Sequence, residues 1–576
     1  MAQKKDPVTW LEGLDNGLLE ERAEKAYARL RSARNRQELA ALIRQVLDDL
    51  RQMEAYRKDL IVGAFLDPAD RGIRESLDRT EEGCLAFLCE YSRFFASISK
   101  SSKGLEAASL IGPDLPAAAK NLAASYQKKI LPDLQKEKDL IAGQLKRLDE
   151  LSLSSLRTGA VMGEARRMLQ SHSRERRMRA YRSLAGRLAR YRDEVEKHFV
   201  QLHETRRSMA GQAGFKTFFD YALARSGLTE EKRMQATAFR QLAQKHLTPL
   251  VPAIRASQWK RLGLAEPKPW DVIYPASFGV PTLDLSAYPL EKTYLKGLRS
   301  LLGPRAAHFE SMGEAGALSF HVTGEPRQDP DSFDYCAADP HHDMSGIHFP
   351  DTNRSYLLLP PLPQEWFAST VFAETGSILI QLSGAQELPW PLASPEAGMR
   401  LNLARYSLSM LSQRVWGLFY GIMARYAREY DMAELALDLP LLCALDEMEE
   451  FLSRARVTNL QVFRHAWNEI ARRYLPSGSA EEAPSLIPTE DLWLYAPSLW
   501  SRPLAGISEA LAAVSVLGTL PLGRRHQVLE TAFSQLLDQE PGTDPFAGFG
   551  HAGYPSPYEE ETVRKAAFAM ADFLGL

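Results

Sequence analysis

Apolar residues recur at three- and four-residue spacing through residues 17–105 and 115–247, with many Arg, Lys and Glu between them. That period gathers them on one side of a helix, so the pattern predicts a run of amphipathic helices. Breaks are expected at Asp67-Pro68, at Gly112 to Pro116 and at Pro249 to Pro252, because proline removes an amide donor and disfavours helix before it. From about residue 266 to 365 the texture changes. Short extended candidates (WDVIYP, ALSFHVTGE, SFDYCAA, GIHFP and SYLLLPP) alternate with Pro and Gly, which predicts a small β-sheet set into a helical body. Residues 366–470 read as long helices, 476–491 as a Ser-, Pro- and acid-rich loop, and about 502–540 as helix again. No internal repeat stands out.

Composition narrows the class without naming a chemistry. A chain of 576 residues, 45% hydrophobic and 25% charged, can bury an extensive core and accommodate two to four structural units. A net charge of −3 gives no steering toward nucleic acid or an anionic membrane, so neither is expected as a partner. The start, MAQKKDPVTWLEG, is polar and contains no apolar run of signal-peptide or membrane-span length; the expected location is cytoplasmic. Cys84, Cys89, Cys336 and Cys443 lack metal-site spacing and read as buried, reduced thiols. Ten arginines crowd residues 166–192, but Leu169, Met178, Tyr181, Leu184, Leu188 and Tyr191 keep a helical stripe and acids interleave. A solvated helix face is the expectation there, not an RNA-binding element.

The candidate chemistry sits in WFASTVFAETGSILIQLSG, residues 366–384. A zinc peptidase of the His-Glu-x-x-His type needs two imidazoles four residues apart, so that one helix face offers both to the metal beside a Glu base. Here the five positions are Ala373, Glu374, Thr375, Gly376 and Ser377. The carboxylate is present and both imidazoles are missing. The tract resembles the active-site helix of the oligoendopeptidase F group of thimet-oligopeptidase-like zinc metallopeptidases, with Gly376 and Gln381 in step. Ala404-Arg405-Tyr406-Ser407-Leu408-Ser409-Met410 resembles the second helix of that family, which places Ala404 where the third zinc ligand is expected and Tyr406 where a histidine is. Residues 169–215 resemble its linker helix and 553–574 its closing segment. A further departure falls at 492–506, LWLYAPSLWSRPLAG, where the family carries a carbonyl-polarising His and a Tyr-rich string. Leu492 or Trp493 stands near the expected His, Leu499, Trp500 and Ser501 stand at the expected Tyr positions, and Tyr495 is the one phenol.

The resemblance implies a mainly α, two-lobed peptidase-like fold with a deep channel and a small sheet at its wall. The expected organisation is an N-terminal helical lobe over residues 1–200 and a peptidase-like lobe over 201–576, with the sheet near 266–365 and degenerate active-site helices at 366–384 and 398–430. Zinc is the family's cofactor, but methyl groups at 373 and 404 and a hydroxyl at 377 are not a zinc donor set, so no cofactor is expected. The implied function is a catalytically inactive homologue of an oligoendopeptidase, Glu374 being a vestigial base, that binds a peptide or an active homologue. Two alternatives stand beside it. One is an active metallo-oligopeptidase with a non-standard metal site drawn from His341, His342 or His348 with Glu374; the bland reading of 341–348 is a solvated or hydrogen-bonded loop, and it reads equally as a remnant substrate-contacting loop of the groove. The other is a purely structural helical scaffold. A second register, with 341–348 as the His-Glu-x-x-His helix, leaves Gly376 and the 407–410 string unexplained. A buried Glu374 without metal is expected either to pair with an Arg such as Arg400 or Arg405 or to be protonated.

Overall fold

The computed structural model describes residues 16–67, 69–151, 168–271, 281–284, 289–322, 346–383, 388–389, 391–476, 489–501, 503–520, 525–539, 546 and 553–576. Helices dominate, and their ends follow local chemistry. Asn35 accepts from the amides of Gln37 and Glu38 to start Arg36–Leu66. Thr217 and Asp220 close a reciprocal capping box on Phe218–Ser226. The forty-residue helix Arg174–Ala213 stops at Gly214, whose φ of +93° only glycine adopts without strain.

These helices bury two main cores. The smaller is built by residues between Leu19 and Leu134 and between Met209 and Leu223, the larger by residues between Ile141 and Leu202 and from Ala236 to Met570. Several elements cross between them, among them Leu131–Glu150, which gives Leu134 to the smaller core and Ile141 and Leu145 to the larger. The long helix gives Val195 and Leu202 to the larger core and Met209 and Ala210 to the smaller. In return Leu504, 1% exposed, reaches into the smaller core from the C-terminal part of the chain. Leu504 has a φ of +63°, costly for a residue with a Cβ. Its amide donates to the buried Glu449 carboxyl on Ala424–Arg454, which fixes that backbone.

Three strands form the sheet, in the order β1-β3-β2: β1 is Leu318–Val322, β2 Gly346–Phe349 and β3 Arg354–Leu362. β1 runs parallel to β3, with Leu318 opposite Leu357, and β2 antiparallel to it, with Ile347 opposite Tyr356. One face meets the end of the 36–66 helix, where Val62 packs with Ile347, Phe349 and Leu358.

Several expectations are corrected. Among the described residues the sheet is confined to 318–362, while Leu290–Leu302 and Ala307–Glu314, inside the predicted β region, are helices. Thr293, Tyr294, Gly297 and Leu298 are buried, a helical stripe hidden between Pro289 and Gly303-Pro304. WDVIYP begins in a short 3-10 turn, Pro269–Asp271, and SFDYCAA lies outside the described residues. The predicted 398–430 helix is Pro395–Ser412 followed by short turns, broken where Gly421 takes a φ of +50°. Residues 489–491, the end of the expected loop, begin a 3-10 helix that runs to Tyr495. The arginine-rich face is not all solvated: Arg177, 4% exposed, donates to the buried Asp271 at 2.7 Å. Cys84, Cys89 and Cys443 are buried free thiols, and Cys336 lies outside the described residues. Among the described residues no helix is long and apolar enough to cross a membrane.

Candidate functional site

The Glu374 helix, Phe367–Ser383, is buried on nearly every side, as its almost unbroken apolar sequence demands. Trp366, Phe367 and Phe372 are core residues, each at most 1% exposed. Each residue of the pentapeptide meets a different neighbour. Thr375 turns its hydroxyl back to the Val371 carbonyl at 2.7 Å and meets the buried Tyr294 hydroxyl at 2.8 Å. Gly376 faces the Ala404 helix, Pro395–Ser412. A Cβ built there would stand 2.8 Å from the Ala404 carbonyl carbon and closer still to its oxygen, so the helices cross backbone to backbone. Only glycine permits that approach.

This crossing brings Glu374 and Arg405 together. Arg405 Nη2 donates to Glu374 Oε1 at 2.6 Å, the carboxylate side chain 3% exposed and the guanidinium 23%. Ala373 is half-buried, Ser377 4% exposed and Ala404 fully buried, and these three positions, which the resemblance assigns to metal ligands, lie on the two helices that carry this pair. Arg400, the other expected partner, goes elsewhere. It is buried and donates to the carbonyls of Leu536 and Gln539, at 3.3 and 3.1 Å, where its charge suits the C-terminus of Arg525–Asp538. One turn beyond the crossing, Ser407 bonds the buried Tyr554 hydroxyl at 2.7 Å and ties in the C-terminal segment.

The sheet lies directly against the Glu374 helix. Gly346 opens β2 so close to that helix that a Cβ would sit 2.7 Å from the Glu374 carbonyl oxygen. Gln381 serves the β2 backbone, accepting from the His348 amide at 3.2 Å and donating to the Gly346 carbonyl at 2.9 Å. His348 is buried; its Nδ1 meets Ser355 Oγ at 2.9 Å, and the same hydroxyl meets His308 Nε2 at 2.8 Å. Burial pushes the His348 imidazole down to about 4, which keeps it neutral. Residues 346–349 are strand, so no helix continues through 346–348, and 341–345 lie outside the described residues. His341 and His342 lie outside the described residues.

The 492–501 segment is packed into an aromatic cluster. Trp493 and Trp500 are fully buried and meet the Phe199 ring edge-on at 4.8 and 5.6 Å. Trp500 donates to the Leu494 carbonyl at 2.9 Å. Leu499 and Tyr495 are 4% and 3% exposed, and burial pushes the Tyr495 phenol up to about 12. Leu492 packs at the edge of the larger core, and Ser501 hydrogen-bonds the Pro497 carbonyl at 3.0 Å. Arg206 holds the segment by donating to the Leu499 and Trp500 carbonyls at 3.1 and 2.7 Å.

No protein-family model matches the sequence, and no curated protein matches it. Solved structures do. PZ peptidase A with an inhibitor superposes with a TM-score of 0.79 at 16% identity, covering 97% of each chain. A structure assigned to oligoendopeptidase F gives 0.80 at 16% identity, covering 98% of each. Oligoendopeptidase-F from Enterococcus faecium gives 0.59 at 12% identity, covering 98% of this chain and 96% of its own. Over nearly its whole length, the chain has the fold of the oligoendopeptidase F peptidases.

Proposed function

We propose that this protein is a catalytically silent peptidase homologue, which holds peptides or a partner chain in the cleft of a peptidase fold without hydrolysing them through zinc. The observation that carries the reading is the ion pair between Glu374 and Arg405. A carboxylate serving as general base in a metal-dependent hydrolysis works on a water acidified by the ion. Here a guanidinium stands against that carboxylate, and a second cation beside it is opposed by charge. The donor set does not fit zinc: residues 373, 377 and 404 offer two methyl groups and one neutral hydroxyl. Positions 493, 495, 499 and 500, where a carbonyl-polarising His and Tyr are expected, are at most 4% exposed and packed into the core, which withdraws them from a cleft where an oxyanion would develop. The non-standard metal site finds no support in His348, whose Nδ1 is engaged by Ser355.

The test pairs two assays on the wild-type protein with zinc added. A quenched-fluorescence peptide library reports cleavage, and fluorescence anisotropy of the same peptides reports binding. Binding without turnover is the expected outcome. Turnover that a chelator abolishes and zinc restores overturns the reading, and neither binding nor turnover favours the scaffold.

A further inference from the structure

Pro503 and Leu504 lie between two anchors in the larger core. Upstream, Arg206 donates to the Leu499 and Trp500 carbonyls at 3.1 and 2.7 Å; downstream, the helix Ile507–Gly518 begins. Leu499, Trp500 and Ile507 pack in the larger core, whereas Leu504 reaches into the smaller one and is 1% exposed. The pair is a short strap that ties one core to the other.

Three features make this tie easy to undo. Leu504 holds a φ of +63°, a strain that detachment releases. A cavity of about 50 Å³ is lined by Pro503 together with Leu85, Leu134 and Ile141, so the strap forgoes part of its contact with the helices it faces. The third feature is the fastening itself. The Leu504 amide donates to the carboxyl of Glu449, which is 6% exposed and has no ion-pair partner among the described residues.

The charged groups around Glu449 are engaged with one another. Asp446, one turn earlier on the same helix, pairs with Arg233 and Arg240 of Glu230–His246 at 2.8 and 2.9 Å. Arg206, from Arg174–Ala213, pairs with Glu137 at 2.7 Å. Burial is the largest influence on Glu449 and pushes its carboxyl up to about 8; Asp446 adds to the shift, while the Leu504 amide, Arg206 and Arg233 oppose it. Neutral, this carboxyl accepts the Leu504 amide without burying a charge. Ionised, it is a desolvated anion near Asp446, and lifting the strap gives it access to water.

We propose that Pro503 and Leu504 form a releasable strap between the two cores, fastened by the neutral Glu449 carboxyl and loosened when that group loses its proton. The sign follows from linkage: the fastened state keeps a proton that the released, hydrated carboxyl gives up, so release grows as pH rises. The strap stands apart from the peptide-binding reading, because it concerns different residues and is tested without any peptide.

Hydrogen exchange of the full-length protein, followed by mass spectrometry from pH 5 to pH 8 and corrected for the hydroxide dependence of free amides, tests it. The Leu504 amide is expected to open roughly tenfold more often for each pH unit, while the helix Ile507–Gly518 shows no such rise. Glu449→Gln keeps an oxygen acceptor for that amide and cannot ionise, so its strap is expected to open equally at both ends of the range; a melting curve verifies that the variant folds. If it does not fold, the wild-type comparison of Leu504 with Ile507–Gly518 decides alone. A Leu504 amide that follows hydroxide only, a strap that opens only together with Ile507–Gly518, or a folded Glu449→Gln variant with the wild-type pH dependence overturns the proposal.

Discussion

Replacing Arg405 by methionine keeps a long side chain and removes the charge that faces Glu374. The carboxylate, 3% exposed, is left with one strong partner fewer in a site that excludes water. Breaking a fully buried pair costs about 3–5 kcal/mol. Arg405 is 23% exposed, and solvent screening of that part lowers the expectation to about 2–3 kcal/mol. For a chain of 576 residues an unfolding entropy of roughly 2.1 cal/mol/K per residue turns this into a fall in Tm of about 2–3 °C. Glu374→Gln alone removes the buried charge and leaves Arg405 with access to water, so it costs about 1 kcal/mol. The double variant separates the pair from the general loss of packing. If the ion pair holds the crossing together, the double variant falls short of the summed single costs by about 2 kcal/mol. Calorimetry on the four proteins at pH 7 measures this difference. A coupling below about 0.5 kcal/mol refutes the reasoning, because the two groups then act independently despite their contact.

Three further outcomes follow from the same geometry. Gly376→Ala drives a methyl into the backbone of Ala404, which cannot yield as a side chain can; a loss of about 3 kcal/mol or more, or failure to accumulate folded protein, is expected in expression and melting assays. Glu449 is pushed up to about 8 by burial, from an ordinary 4.5. Between those values the folded state keeps a proton that the unfolded state releases, so stability is lost as pH rises, at roughly 1.4 kcal/mol per pH unit. Glu449→Gln removes that slope, and the difference in Tm between pH 6 and pH 8 is expected to shrink by about 2 °C relative to wild type. Finally, Ala373→His, Ser377→His and Ala404→Glu together with Arg405→Met are expected to take up one zinc per chain, and the triple variant that keeps Arg405 to bind it more weakly. A quadruple variant that binds none places the register of the two helices in error.

Much of the helical framework was legible because its signals are local. Gly214 stops a forty-residue helix where the sequence breaks its stripe, and Asn35 and Thr217 mark helix starts by side-chain chemistry alone. The Glu374–Arg405 contact was legible for a different reason: a carboxylate in an apolar helix demands a cation, and few lie within reach. Choosing Arg405 over Arg400 needed the backbone crossing at Gly376, which no sequence pattern reports. The helix 290–302 was missed because Pro289 and Gly303-Pro304 give its surroundings a loop-like composition. The break after Ser412 was missed because the apolar pattern resumes directly after Gln413-Arg414, and hydrophobicity does not reveal that Gly421 takes a positive φ.

The central claim is that Glu374 faces a guanidinium instead of a metal. Elemental mass spectrometry of the purified wild-type protein, incubated with zinc and freed of the excess, tests it most directly. Less than about a tenth of a zinc per chain is the predicted result. One tightly held zinc per chain, lost on Glu374→Gln, would contradict it.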